Sequence, residues 1–298
     1  MITVKEAFKK FRSRLELNDR EQQDASRRQK EVRAHMDTRF HVEHDFLTGS
    51  YKRWTKTKPL KDIDIFCVLG EKDRHYREKA PSVLLRDVET AMADKYGKDN
   101  VGGQRRSVTV RFGVTVNEEE QTDDKVMSFD VVPAFAKDGH YEIPDTSTVR
   151  GWTETDPRVH ADKAIEAQKN FSNEWKGLVR MAKKWNSHQG KPIKPSFLIE
   201  VMALEVIQPP FGGDYRYEIK ALFAALADRI NETWNDPAGL GPPVSDMMDG
   251  TKREAARSEL LRVSDVAAEA IQLENRDKVG DALRVWRNEV FGPLFPLS

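Results

Sequence analysis

TGSYKRWTKTKPLKDIDIFCVL, residues 48–69, is the stretch that decides the fold. It opens on a small pair, Gly49-Ser50, and closes on Asp62-Ile63-Asp64 running into the apolar Ile65-Phe66-Cys67-Val68-Leu69. Along a β-strand, residues two apart share a face. Asp62 and Asp64 are therefore expected on one side of a strand, with Ile63 and Ile65 on the core side. Two adjacent carboxylates repel unless a cation sits between them. Hard oxygen donors of this kind suit Mg²⁺ or Mn²⁺, ions that also carry substrate phosphates. Upstream, Gly49 allows close backbone approach and Ser50 adds a hydroxyl, which suits a triphosphate tail.

A third carboxylate extends the pattern. Residues 126–136 read VMSFDVVPAFA, and Asp130 is the one charge in that apolar run. An unpaired carboxylate in such a strand is costly. Upstream, SVTVRFGVTV at 107–116 alternates like a half-buried strand, with Val108, Val110 and Phe112 against Thr109 and Arg111. Three strands are thus expected, over 62–69, 107–116 and 126–134. Two of them, as neighbours, could bring Asp62, Asp64 and Asp130 together around two divalent ions.

The order Gly-Ser, Asp-x-Asp, then a lone aspartate on a later strand resembles the polymerase-β-like nucleotidyltransferase superfamily. Three further blocks narrow the resemblance: VVPAFAKDGHYEIPDTSTVRGWTETDPRVH at 131–160, LVRMAKKWNSHQGKPIKPSFLIEVM at 178–202 and NDPAGLGPPVSDM at 235–247. Together they are similar to the bacterial cGAS/DncV-like nucleotidyltransferases, the CD-NTases of anti-phage signalling, from about residue 40 to about 285. One departure is visible: many relatives carry Gly-Thr shortly after the Gly-Ser, where this chain has Trp54-Thr55.

The resemblance implies an α/β (α+β) fold in which a nucleotidyltransferase lobe with a mixed sheet faces a helical lobe across a cleft. It implies an enzyme that joins nucleoside triphosphates, ATP among them, into a cyclic di- or trinucleotide second messenger with release of pyrophosphate. Asp62, Asp64 and Asp130 are then metal ligands and catalytic residues for two Mg²⁺ ions, with Mn²⁺ as an alternative. Gly49, Ser50, Lys183 and Ser196 are nucleotide-binding. Asp236 and Asp246 fall in a segment that relatives place near the acceptor base. A regulatory partner protein is a further expectation, since related systems often pair the synthase with one. Two other readings stay open: a nucleotidyltransferase or toxin directed at tRNA, other RNA or protein, and a silent nucleotide-binding module.

From the residues alone, Arg180, Lys183 and Lys184 share one helix face, which also describes a plain basic surface helix. Ser196 beside Pro195 is equally an ordinary helix start. His41 and His44 have metal-ligand spacing, but no second cluster supports zinc, so surface or loop histidines are the simpler reading. Tyr51 and Trp54 could stack on a base or pack under the loop.

Composition excludes some classes. The chain has 49 basic and 49 acidic residues, a formal charge of zero. Proteins that grip long nucleic acids usually carry a basic excess, so a long nucleic acid is not expected as the main partner. Cys67 stands alone, which rules out an internal disulfide and a thiolate cluster. With no secretory signal and no apolar run of eighteen residues, a soluble cytoplasmic protein without membrane association is expected.

The expected organisation is a long N-terminal spine helix within 1–39, a catalytic lobe over 40–159 and a helical lobe over 160–298. Helices are predicted over 3–35 and 78–96, then 160–188, 194–208, 214–234 and 250–290. Breaks fall at Gly190 to Pro192, Pro209 to Gly213 and Pro237 to Pro243.

Overall fold

The computed structural model describes residues 2–298. Two N-terminal helices come first, α1 (Val4–Leu15) and α2 (Asp19–Met36). A single helix over 3–35 was the expectation, and the chain breaks it at Asn18. Thr3 with Glu6 and Asn18 with Glu21 each form a capping box, so a second helix start is written into the sequence at Asn18. The break lets the two helices serve different cores. Val4, Ala7, Phe8, Phe11 and Leu15 of α1 pack with the C-terminal helices. Ala25, Val32 and Met36 of α2 pack on the sheet.

The sheet has the order β1-β2-β5-β4-β3, with β6 and β7 added beyond β5. Its strands are β1 (Val42–Leu47), β2 (Ile63–Leu69), β3 (Val101–Gly103), β4 (Val108–Arg111), β5 (Ser128–Lys137), β6 (His140–Pro144) and β7 (Trp152–Thr155). β2 and β5 run parallel, and the other pairs run antiparallel. The strand expected over 107–116 is confined to β4, which ends before Gly113, a glycine at φ +66°.

Alternation divides the central strands cleanly. Ile63, Ile65, Cys67, Phe129 and Val131 face a core that also takes Leu84, Val88 and Met92 from α4 (Pro81–Tyr96). The other face carries Phe66, Val68, Val132 and Ala134 in a smaller cluster with Ile143. Asp64 and Asp130 belong to this second face by parity. Cys67 is buried, as read from its apolar run.

A short helix, α3 (Gly49–Lys52), follows β1. The remaining helices are α5 (Pro157–Asn170), α6 (Trp175–His188), α7 (Phe197–Val206), α8 (Tyr215–Arg229), α9 (Gly250–Asn275) and α10 (Val279–Val285). The helix expected over 160–188 is two, because Ser172 and Asn173 adopt left-handed backbone between α5 and α6. The one expected over 250–290 is interrupted at Asp277, φ +60°, and finishes in a π-helical turn at Trp286–Phe291. That turn brings Trp286 and Phe291 against Phe8, at ring-centroid distances of 4.8 and 5.8 Å. No helix among the described residues is long and apolar enough to cross a membrane.

Candidate active site

Gly49 explains why the small pair must stand where it does. Its φ is +62°, and a Cβ there would fall 1.8 Å from an Asp64 carboxylate oxygen. The backbone amide of Thr48 donates to the Asp64 carbonyl at 2.9 Å, which locks the start of α3 against β2. Only glycine tolerates both the left-handed backbone and this contact. Ser50 follows directly and faces the adjoining cavity.

Asp64 and Asp130 are register partners across the parallel pair β2 and β5. Burial pushes the Asp130 carboxyl up to about 6; a Thr109 hydroxyl bond opposes the rise, and the charges of Asp64 and Asp62 add to it. The Thr109 hydroxyl donates to Asp130 at 2.5 Å and itself accepts from Gln104 at 2.6 Å. Asp64 is likewise raised, first by burial and also by Asp62, against the pull of Lys56, Arg53 and Lys183.

Asp62 differs from the strand expectation. It lies one residue before β2, is exposed, and has φ +56°, so simple alternation with Asp64 does not set its direction. Ser128 of β5 fixes it instead. The Asp62 amide donates to the Ser128 oxygen at 2.8 Å, and the Ser128 hydroxyl donates to the Asp62 carboxylate at 3.1 Å.

A cavity of about 350 Å³ opens beside Asp62, which lines it together with Ser50, Lys56, Lys183, Lys194 and Ser196 among others; Asp64 and Asp130 do not line it. The local basic lining stands against a neutral whole chain. Ser196 occupies the position before α7, is exposed, and makes no capping hydrogen bond, so its hydroxyl is available to the cavity. Lys56 was not foreseen. Its ammonium donates to the Asp62 carbonyl at 3.1 Å. Burial pushes it below the ordinary lysine value, while Asp62, Asp64 and Asp130 pull the other way. It sits in an irregular loop, where no periodicity marks one lysine among several.

The helix face of Arg180, Lys183 and Lys184 is buried, which overturns the basic-surface reading. Its members have separate partners. Arg180 bonds the Trp54 carbonyl at 2.6 Å and Glu16 at 2.9 Å, and Lys184 pairs with Glu120. Lys183 donates to Glu200 of α7 at 2.7 Å. Arg53 reaches the same carboxylate at 2.8 and 3.1 Å, and the Thr55 hydroxyl at 2.7 Å. Glu200, absent from the sequence reading, thus joins the two lobes.

The other candidates separate. Trp54 is 45% exposed, and its backbone is left-handed at φ +59°. Tyr51 packs partly into the sheet core. Asp236 pairs with His160 at 2.9 Å and caps the Ala238 amide at 2.7 Å, while Asp246 lies in a 3₁₀ turn at Val244–Met247. His41 and His44 are exposed, and His44 stacks on Phe46 at 6.1 Å.

Among the described residues no three acidic, histidine or cysteine side chains form a ready-made metal cage. The donor chemistry nevertheless fits a divalent ion. Asp62, Asp64 and Asp130 offer only hard oxygens, and the raised carboxyls of Asp64 and Asp130 mark anions short of positive charge.

Residues 1–169 match the Second Messenger Oligonucleotide or Dinucleotide Synthetase (SMODS) domain. That match spans more than half of the 298-residue chain, and the chain belongs to this family of nucleotidyltransferases. It is 29% identical over 276 residues to a probable cyclic nucleotide synthase of Bacillus cereus (strain VD146), covering 83% of this chain and 81% of that protein. It is 27% identical over 281 residues to a cyclic AMP-AMP-AMP synthase of Acinetobacter sp., covering 88% and 75%. In fold it is similar to E. coli MS115-1 CdnC solved with ATP, at TM-score 0.69 and 18% identity over 99% of both chains. CdnC has also been solved in a complex with HORMA-deltaN, at TM-score 0.68, 18% identity and 98% of both chains. The mixed sheet facing a helical lobe is the cGAS/DncV-like nucleotidyltransferase fold that the sequence pointed to.

Proposed function

We propose that the cleft joins nucleoside triphosphates, ATP among them, into a cyclic di- or trinucleotide, with Asp62, Asp64 and Asp130 as the catalytic and metal-binding acids. The observation that carries this reading is the Asp64–Asp130 register pair, with Asp62, close to Asp64 in sequence, lining a cavity shared with Ser50, Lys183 and Ser196. Family membership supports the cyclic product, and the Acinetobacter relative supports adenine as a base.

Gly49 brings the backbone of α3 onto Asp64, and Ser50, Lys183 and Ser196 hold the donor triphosphate. A ribose hydroxyl oxygen bonds to the α-phosphorus, the bond to the bridging oxygen breaks, and pyrophosphate leaves. Asp130 takes the hydroxyl proton. Two Mg²⁺ ions, held by Asp62, Asp64 and Asp130, supply charge stabilisation on the transferring group. Holding both nucleotides in one cleft contributes through effective concentration. A regulatory partner is the companion proposal, supported by the complex that CdnC makes.

Incubating the protein with all four NTPs and Mg²⁺ alone, followed by mass spectrometry, tests this. A cyclic oligonucleotide is expected. Incorporation that appears only when tRNA or a protein acceptor is added would overturn the reading.

A further inference from the structure

Glu200 is buried, at 2% exposure, between two cations that are themselves buried, Arg53 and Lys183 at 7% each. One carboxylate serves both. Arg53 occupies the C-terminal end of α3, where its amide bonds back to Gly49, and its guanidinium lies over Phe197 at 4.6 Å. Thr55 donates to the same carboxylate. Every group that touches Glu200 from the catalytic lobe therefore comes from the segment that positions Gly49 and Ser50. The group that reaches it from α6 lines the cavity beside them.

The charges in this cluster do not cancel. Two cations share one contacting carboxylate, and the remaining positive charge is offset only at longer range, by Asp64 and Asp236 acting on Arg53; a buried charge held so loosely leaves room for an anionic ligand. The groups facing Lys183 are Glu200 from α7, and Arg53 and Lys56 from the loop around α3; Asp64 of β2 also feels its charge. Among the described residues Glu200 is the one anion in contact with it. An arginine does not give up its proton in a protein, whereas a buried lysine readily does. Lys183 is thus the member whose charge depends on its neighbours.

Resting on the assignment of Lys183 to the donor triphosphate, we propose that Glu200 is a positioning residue that keeps Lys183 protonated and aimed into the cavity while tethering the Gly49-Ser50 segment to the helical lobe. The ammonium spends one hydrogen on Glu200 and keeps two for phosphate oxygens. Burial lowers the Lys183 ammonium and Glu200 opposes that fall. Glu200 is itself held below the usual carboxylate range: Arg53 and Lys183 overcome its burial.

Glu200→Gln preserves the shape and removes the charge. Arg53 and Lys183 then face each other unbalanced, and Lys183 gives up its proton as pH rises. The apparent KM for ATP in the variant should stay within about twofold of the parent near pH 6 and rise about tenfold or more by about pH 8.5, while the parent changes little. Lys183→Arg combined with Glu200→Gln should lose that pH dependence, because a guanidinium keeps its charge. A Glu200→Gln KM parallel to the parent's across pH would overturn the proposal, as would an unchanged pH dependence in the double variant. If Glu200→Gln does not fold, carbon-13 NMR of lysine side chains in the intact parent, with the Lys183 signal assigned from Lys183→Arg, decides instead. Lys183 should remain charged at about pH 8.5 in the parent, and a neutral Lys183 there would overturn the proposal. Lys183→Ala separates the underlying assignment: an unchanged KM there removes the triphosphate contact itself, whereas a raised KM without pH dependence in Glu200→Gln removes only the role of Glu200.

Discussion

Asp64 and Asp130 stand across from each other on the parallel strands β2 and β5, and both carboxyls are raised above the ordinary aspartate value. Burial is the larger cause in each case; the charge of Asp62 adds to both, and that of Asp64 adds to Asp130. The protein therefore holds two carboxyls whose ionisation its own side chains do not fully compensate. Lys56 supplies part of the missing charge, and a bound divalent ion would supply the rest.

A pH dependence follows for the metal-free protein. The Asp130 carboxyl lies at about 6 in the fold, above its value of about 3.9 in an unfolded chain. Its favourable contribution is complete below the unfolded value and is lost as pH rises through the folded one. In EDTA, the Asp130-dependent part of the melting temperature should fall between about pH 4.5 and 7, by no more than about 3 kcal/mol in free energy. Glu200 and Asp145 are held low, so their contributions disappear only in stronger acid and do not mask this window. Asp130→Asn should make the profile shallower, leaving the part that the raised Asp64 carboxyl supplies. An Asn variant whose melting temperature still follows the parent across this range would place the effect elsewhere.

The strands that carry Asp64 and Asp130 were legible because a lone charge in an apolar run has few explanations. Asp130 and Ile65 to Leu69 signalled themselves in this way. The direction of Asp62 was not legible, since it depends on Ser128, a residue 66 positions away that holds it through two hydrogen bonds. Glu200 and Arg53 were hidden for a related reason. A glutamate within PSFLIEVM looks like the polar residue of an amphipathic helix until tertiary packing brings Arg53 and Lys183 onto it. The missed helix break at Asn18 was legible in principle, because Asn18 and Glu21 spell a capping box. The even spread of charge along 3–35 concealed it.

Gly49→Ala should be far more damaging than its size suggests. The methyl group would enter the space of the Asp64 carboxylate, on a backbone at φ +62°. Strain of that kind costs on the order of 1–3 kcal/mol, and relief requires moving either α3 or Asp64. Pyrophosphate release should drop sharply together with a lower melting temperature. Full activity in the alanine variant would show that the contact between α3 and Asp64 is dispensable.

Asp62→Asn with Asp64→Asn should behave in the opposite way for stability. Two anions disappear from a site where they repel, so the melting temperature should hold or rise while pyrophosphate release is abolished. Turnover that persists in the double variant would remove both residues from the chemistry. If the variant proves unfolded, Asp130→Asn provides the same comparison with one charge removed.

ATP with Mg²⁺ should raise the melting temperature of the parent, because a ligand specific for the folded state stabilises it by about 2.7 kcal/mol at a hundredfold excess over its Kd. A slowly hydrolysed analogue isolates binding from turnover. EDTA should cancel most of the gain, since Asp62, Asp64 and Asp130 otherwise repel the triphosphate. A shift indifferent to EDTA would put the nucleotide somewhere other than beside these acids.

Salt separates a small-molecule synthase from an enzyme that extends RNA. The chain has no net charge, and its basic lining is concentrated in one cavity with Lys56, Lys183 and Lys194. An enzyme that neutralises a few phosphates of a free nucleotide loses activity gently as salt rises. One that grips a duplex loses affinity with a log–log slope of about −0.9 per phosphate contacted. Product formation from free NTPs should therefore show a shallow salt dependence, no stimulation by added tRNA and weak tRNA binding at physiological salt. Saturable tRNA binding with a steep slope, together with tRNA-dependent incorporation, would leave the acids and their chemistry in place and transfer them to a polymeric substrate.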